Sequence, residues 1–466
     1  MQQRILFSKF TEALSWNAFL YIAHRILSTT LVFVLYRSVP SLLFSTWATL
    51  MSIIYLMLLW FDFGFRKSIA RYVPIFTEHG AFKLFTRSVL IFQLTVLALL
   101  SPVFYYSTPK LFSIIFSRPD IFISTLLIPA TLLFVVEGLV EMLRLLYHAH
   151  FLNKPFNILS TTTRLLESSA SIALLLYANW SPIALLSCIL LIKAISSSVT
   201  VLAALIMLPR LYSTAQHDFP RQTPTALKPL WYKFIRHSSM MWISNIIKSL
   251  SERNFIIPVI THGIGAEQAN IFKLAQDSAL FFERSIMKTI GTADTALLAH
   301  AASGRKEEAN AFDKLTHQVA ALCIPLFGIL LFIALAGKSF ITIPYAFVIF
   351  LLLTASYLLE VLLSPYERLL EVKQRYLFLA TAYLPYVLGL LWLLYSGMII
   401  GLVGFVIILQ GVRLVSSCIM VGVVHYNYGL RFPIIFAMKW LLIVLGVALV
   451  TVGIIRLLSI AISLIN

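Results

Sequence analysis

About thirteen apolar stretches, each long enough to cross a bilayer, divide this 466-residue chain. They run over 11–35, 41–62, 84–106, 121–146, 156–178, 182–208, 234–258, 266–290, 315–336, 341–365, 376–396, 398–424 and 433–460. A backbone inside hydrocarbon must satisfy its own hydrogen bonds. These runs lack the residue-by-residue alternation of a membrane barrel, so helix is the form left to them. Composition agrees: 60% of residues are hydrophobic and 12% charged, against about 25% charged in soluble domains.

Charge sets the orientation. Most of the 36 Lys and Arg fall in the N-terminal flank and in or near every second gap, for example Arg66, Lys67, Arg71, Lys83 and Arg87, then Arg144, Lys154 and Arg164, then Lys288, Arg305, Lys306 and Lys314. The intervening gaps hold little beyond Arg37, Lys110, Arg118 and Lys338. Positive charge stays on the cytoplasmic side, so the N-terminus is expected in the cytoplasm. The net charge of +17 then faces an anionic leaflet rather than nucleic acid. Cys188, Cys323 and Cys418 all lie in apolar stretches, far apart, and predict neither a disulfide nor a metal site. The first stretch contains Glu12, Asn17, His24 and Arg25, too polar for a signal-peptide core. No Walker glycine-lysine loop and no catalytic constellation are present.

The gap at 209–233 interleaves Pro209, Pro220, Pro224 and Pro229 with Arg210, Arg221 and Lys228, and reads as a cytoplasmic linker. It separates an N-terminal bundle of six helices (1–208) from a C-terminal one (234–431), with a further helix in 432–466. The halves look related. Lys9-Phe10 answers Lys233-Phe234, Ala81 through Arg87 resembles Ala311 through His317, and Glu137 matches Glu360. An even number of spans per repeat makes the repeats parallel, related by a pseudo-two-fold axis along the membrane normal. The expected fold is therefore an all-α polytopic membrane protein of two six-helix bundles plus a C-terminal helix.

Among the cations inside the stretches are Arg25, Lys193, Lys248, Arg253, Lys273, Arg284 and Arg413. Exposure of all of them to lipid would cost on the order of 20 kcal/mol, at about 2.5–3.5 kcal/mol each. They must be paired, snorkelling or facing a hydrated cavity. Asn245, Lys248 and Glu252 share a helical face, as do Lys273 and Asp277. Lys193 and Arg413 suit interhelical pairs. Arg25 and Arg253 occupy similar depths in matching helices, where two guanidinium groups suit a multiply charged anion. The competing reading gives each a glutamate on a neighbouring helix. Glu137 and Glu141, one turn apart, and Glu360 at matching depth are acids suited to ion coupling, or to neutralisation by a buried cation.

Further residues carry a family resemblance. Asp62-Phe63-Gly64-Phe65 followed by Ser68 through Tyr72 resembles the D-x-G and A/V-R-Y signature closing the second helix of bacterial polysaccharide exporters. Glu252-Arg253, Ile264-Gly265-Ala266, Ala275-Gln276, Ala301 through Lys314, Ile324-Pro325-Leu326 and Ile400 through Gly404 are similar to later landmarks of those proteins. The chain thus resembles the multidrug/oligosaccharidyl-lipid/polysaccharide (MOP) flippase superfamily, nearest its O-antigen (Wzx-type) flippases. The resemblance implies a V-shaped cavity between bundles, alternating access, and a polyprenyl-diphosphate-linked oligosaccharide as cargo. It also implies cavity cations for the diphosphate, here Arg25, Lys248, Arg253 and Lys273. Glu137, Glu141, Glu360 and Asp277 are the candidates for proton or sodium coupling.

The expected function is an ion-coupled flippase of a bacterial cytoplasmic membrane, without a bound cofactor or metal. It would work among membrane lipids and beside a polysaccharide polymerase, carrying the lipid-linked oligosaccharide between leaflets. A drug–cation antiporter would want a net acidic cavity, and a membrane glycosyltransferase or polymerase would want a large external loop.

Overall fold

The computed structural model describes residues 26–116, 123–149, 153–218, 227–250, 252–290, 305–336, 344–373 and 375–430. Arg25 and the stretch 433–460 lie outside them. All regular structure among the described residues is helical. Among the described residues, seven apolar stretches are long enough to cross a membrane. They lie in α2 (Ser41–Trp60), α4 (Phe82–Ile115), α5 (Ile123–Ala149), α7 (Pro182–Asp218), α12 (Pro344–Val372) and the two arms of α13 (Tyr376–Tyr428). The shorter apolar helix α1 covers Ile26–Ser38. α6 (Asn153–Tyr177), α8 (Leu227–Ser249) and α10 (Ala266–Ile290) carry more polar and charged residues, and α11 spans Arg305–Ala336. Large apolar side chains point outward along the spans, among them Leu99, Ile128, Leu202, Ile206 and Leu388. Such a surface belongs against lipid.

The chain divides into two compact units, Met1–Lys273 and Leu274–Asn466. In the first, α5 packs on α4 and α7, and α6 packs on α7. α2 is almost wholly buried and is bridged along its length to later helices by short polar side chains. Ser45 Oγ hydrogen-bonds Asn270 Oδ1 at 2.7 Å, and Asn270 Nδ2 donates to the Ser41 carbonyl at 2.9 Å. Trp60 Nε1 donates to Ser249 Oγ at 2.6 Å. With the Thr49–Thr261 hydroxyl contact at 3.5 Å, they hold α8 and α9 (Arg253–Gly263) on α2 in the first unit.

α3 (Phe65–Glu78) is a short amphipathic helix where sequence reading drew only a charged gap. Phe65, Ile69, Tyr72, Val73 and Phe76 recur at helical spacing and are all buried. They build a core with Phe82, Phe85 and Phe234; the Phe76 and Phe85 rings stack at 4.4 Å. Entry into α3 is a tight turn. Asp62 Oδ1 accepts the Gly64 N–H at 2.8 Å, and Gly64 takes φ +75°. A Cβ there would overlap the Ser238 carbonyl of α8. Glycine is required both by the left-handed backbone and by that approach. Trp242 closes the same corner, stacking near Phe63 and donating its indole N–H to the Trp60 carbonyl.

The proline-rich stretch is helical at both ends. α7 runs through Pro209 to Asp218, and α8 starts at Leu227 with Pro229 in its first turn, where a missing N–H costs little. In the second unit α12 packs on α11 and α13. α13 reverses at Gly401 (φ 66°, ψ 177°), so that Arg375 Nε comes within 3.4 Å of Tyr428 Oη at the far end of the same element. The matched sequence segments have matching environments: Phe82 and Phe312 are buried, as are Thr86 and Thr316.

Candidate functional site

The first unit holds a cluster of charges within its helices. Glu137 of α5 is 1% exposed and has two partners. Arg164 Nη2 of α6 lies 3.4 Å from Oε2, and Ser197 Oγ of α7 donates to Oε1 at 2.8 Å. One turn further along α6, Glu167 meets Lys193 Nζ of α7 at 3.3 Å. Thr163 and Thr200 share a hydroxyl contact of 2.8 Å beside them. Two acids and two cations thus cancel across three helices. Arg164, counted with the cytoplasmic charges although it falls within the stretch 156–178, lies inside α6 and reaches Glu137, as a fully buried carboxylate needs a cation within reach. The second pair bears out the reading of Lys193 as an interhelical charge. Glu141 pairs on its own helix, with Arg144 at 2.5 Å.

The second unit repeats the theme with different chemistry. Glu360 of α12 meets Arg413 Nη1 at 3.3 Å and accepts the Tyr386 hydroxyl at 3.2 Å. The Arg413 guanidinium lies 5.2 Å over the Tyr357 ring, a cation–π distance. Gln276 Nε2 donates to Tyr357 Oη at 3.0 Å. Arg413 is therefore also an interhelical charge. Tyr357 and Tyr386 carry no signal in the sequence, and Gln276 stands there only as part of the Ala275-Gln276 landmark; their registers opposite Glu360 and Arg413 become evident only once the helices are packed.

The expected anion site falls on a broken helix. Sequence reading drew one continuous span over 234–258 with Asn245, Lys248 and Glu252 on one face. α8 ends at Ser249, Glu252 is extended (φ −79°, ψ 155°), and α9 starts afresh at Arg253. The Glu252 N–H bonds the Ser249 carbonyl at 3.0 Å, and the Glu252 carbonyl accepts from Phe255 and Ile256. The continuous stripe is thus corrected: Glu252 sits at the N-terminus of a new helix and is not in register with Lys248. Lys248 is half-buried at the end of α8, and Lys273 is half-buried on α10, one turn before buried Asp277. Arg253 begins α9; its side chain, like Arg25, lies outside the described positions.

Apolar spans and an outward apolar surface, with Glu137 and Arg413 buried in ion pairs, define a multi-pass membrane protein. No protein-family model and no curated protein matches the sequence. Among solved structures, the chain is similar to an outward-facing multidrug resistance MATE family transporter of the MOP superfamily, at 15% identity and TM-score 0.61, over 90% of this chain and 96% of that one. It is similar to a MOP superfamily transporter from Pyrococcus furiosus for which reverse polarity of the binding pocket suggests a different function, at 14% identity and TM-score 0.61, over 90% and 96%. It is also similar to the eukaryotic MATE transporter AtDTX14, at 14% identity and TM-score 0.57, over 94% and 99%. At these identities the likeness shows the fold: that of the MATE transporters of the MOP superfamily.

Proposed function

We propose that the protein is a secondary transporter of the flippase type, moving a polyprenyl-diphosphate-linked oligosaccharide from the inner to the outer leaflet of a bacterial cytoplasmic membrane. The observation that carries this reading is the interruption between α8 and α9. It opens a helix N-terminus at Arg253, five residues beyond Lys248. Helix N-termini and cations both favour anions, and interrupted helices are the usual place for them in transporters. Lys248, Arg253, Lys273 and Arg25 are assigned to the diphosphate. The paired glutamates add support. Glu137, Glu167 and Glu360 each already face a cation, whereas an antiporter for organic cations needs a carboxylate available to its cargo. Coupling to protons or sodium ions would use an acid other than Glu137, whose two partners occupy both its oxygens.

Cells lacking the protein should accumulate one lipid-linked oligosaccharide, identifiable by mass spectrometry. An unchanged lipid profile would contradict the reading. A multidrug antiporter is the second reading, favoured by the drug transporters among the structural neighbours. Proton-driven uptake of cationic drugs into proteoliposomes, with no effect on lipid-linked sugars, would select it.

A further inference from the structure

The related glutamates of the two units have unlike surroundings. Glu137 is sealed, with both oxygens occupied. Glu360 is 32% exposed at its side chain, although Arg413 beside it is 6% exposed. In the first unit the next helix offers Glu137 an arginine, 27 residues on; in the second it offers Glu360 a tyrosine, 26 residues on. The second cluster therefore holds one ion pair, Glu360–Arg413, among neutral polar and aromatic groups, with Glu283 and Glu367 near enough to act on Arg413 and Tyr386.

That cluster is also under-satisfied. Gln410 lies one turn before Arg413 on the same face of α13. Both its amide oxygen and its amide nitrogen are buried and meet no hydrogen-bonding group among the described residues. The Gln276 amide oxygen is in the same position. A buried amide with donor and acceptor both unmet is unfavourable, and such groups call for a polar ligand or water.

The geometry points to a saccharide-binding subsite formed by Gln410, Gln276, Tyr357, Glu360, Tyr386 and Arg413. Sugar hydroxyls donate and accept at once, which suits the amides of Gln410 and Gln276. Planar carboxylate and guanidinium groups engage neighbouring hydroxyls in pairs, and tyrosine rings take the C–H faces of a pyranose. With Arg413 already paired to Glu360 and further acids nearby, the surroundings disfavour a diphosphate and suit an uncharged sugar. This inference rests on the lipid-linked oligosaccharide reading and adds to it a second contact, to the sugar, separate from the cations of α8 and α9.

The test uses the full-length protein in lipid nanodiscs and two probes: the lipid-linked oligosaccharide isolated from cells lacking the protein, and bare polyprenyl diphosphate. The wild type should bind the glycosylated lipid more tightly. Gln410→Leu and Tyr386→Phe should each weaken that binding about tenfold and leave the bare lipid unaffected. Gln410→Leu should melt at or above the wild-type temperature, since it removes an unmet buried amide; Gln410→Asn should retain part of the binding. Equal affinity of the wild type for both lipids, or equal losses for both probes in the variants, overturns the subsite alone. If no glycosylated lipid accumulates, or the wild type binds neither probe, the transport reading falls and the subsite with it.

Discussion

Arg164 lies 3.4 Å from Glu137, on the helix that follows it, and that pairing accounts for a carboxylate with 1% exposure inside an apolar helix. Removing one member strands the other. Arg164→Leu should destabilise the protein by about 3 kcal/mol, as breaking a buried pair does. Adding Glu137→Leu should recover most of the loss. Thermal unfolding in detergent reads both, and a double variant no more stable than the single one would show that the pair does not hold α5 to α6.

A second prediction concerns the corner between α2 and α3. Gly64→Ala should cost about 1–2 kcal/mol for the left-handed backbone alone, and more from the displaced Ser238 carbonyl. Because Trp242 packs at that corner, its fluorescence should shift to the red as α8 moves away. A variant with wild-type melting temperature and emission would refute the close approach.

Much of this fold is legible in the sequence because hydrocarbon permits few options. α10 occupies the same residues, 266–290, that its apolar pattern outlines, and α2 ends two residues earlier than drawn. The amphipathic α3 was also readable: Phe65, Ile69, Tyr72 and Phe76 keep helical spacing, but charges between them masked it. The break after Ser249 was not readable, since neither proline nor glycine marks it among residues 249–253. Packing on α2, through Trp60 and Ser249, accompanies it instead. The partners of Glu137 and Glu360 were equally hidden, because ion pairs between helices depend on which faces meet. Glu137 and Glu360 themselves stand out from sequence as acids in apolar runs; Gln410 does not, since an isolated amide in a span is unremarkable until its surroundings are known.

A third prediction tests the reversal in α13. Gly401 adopts φ 66° with ψ 177°, a region that side chains with a Cβ avoid. Gly401→Ala should lower stability by about 1–3 kcal/mol, whereas Gly411→Ala, in open space on the same element, should be nearly silent. Equal melting temperatures for the two variants would count against a glycine-dependent turn.

A fourth prediction follows from Lys248 and Arg253 serving an anion. Lys248→Ala and Arg253→Ala should each weaken binding of bare polyprenyl diphosphate about tenfold, and Arg253→Lys should restore only part, since an ammonium lacks the paired donors of a guanidinium. Unaltered binding in both alanine variants would remove these residues from the anion site.

The most direct measurement is translocation of a lipid-linked oligosaccharide in proteoliposomes containing the purified protein or its Lys248→Ala/Arg253→Ala double variant. The account predicts transfer between leaflets by the wild type and at least a tenfold slower rate in a double variant that remains folded. A wild-type protein that moves none of this lipid, or a double variant that keeps the full rate, would contradict it.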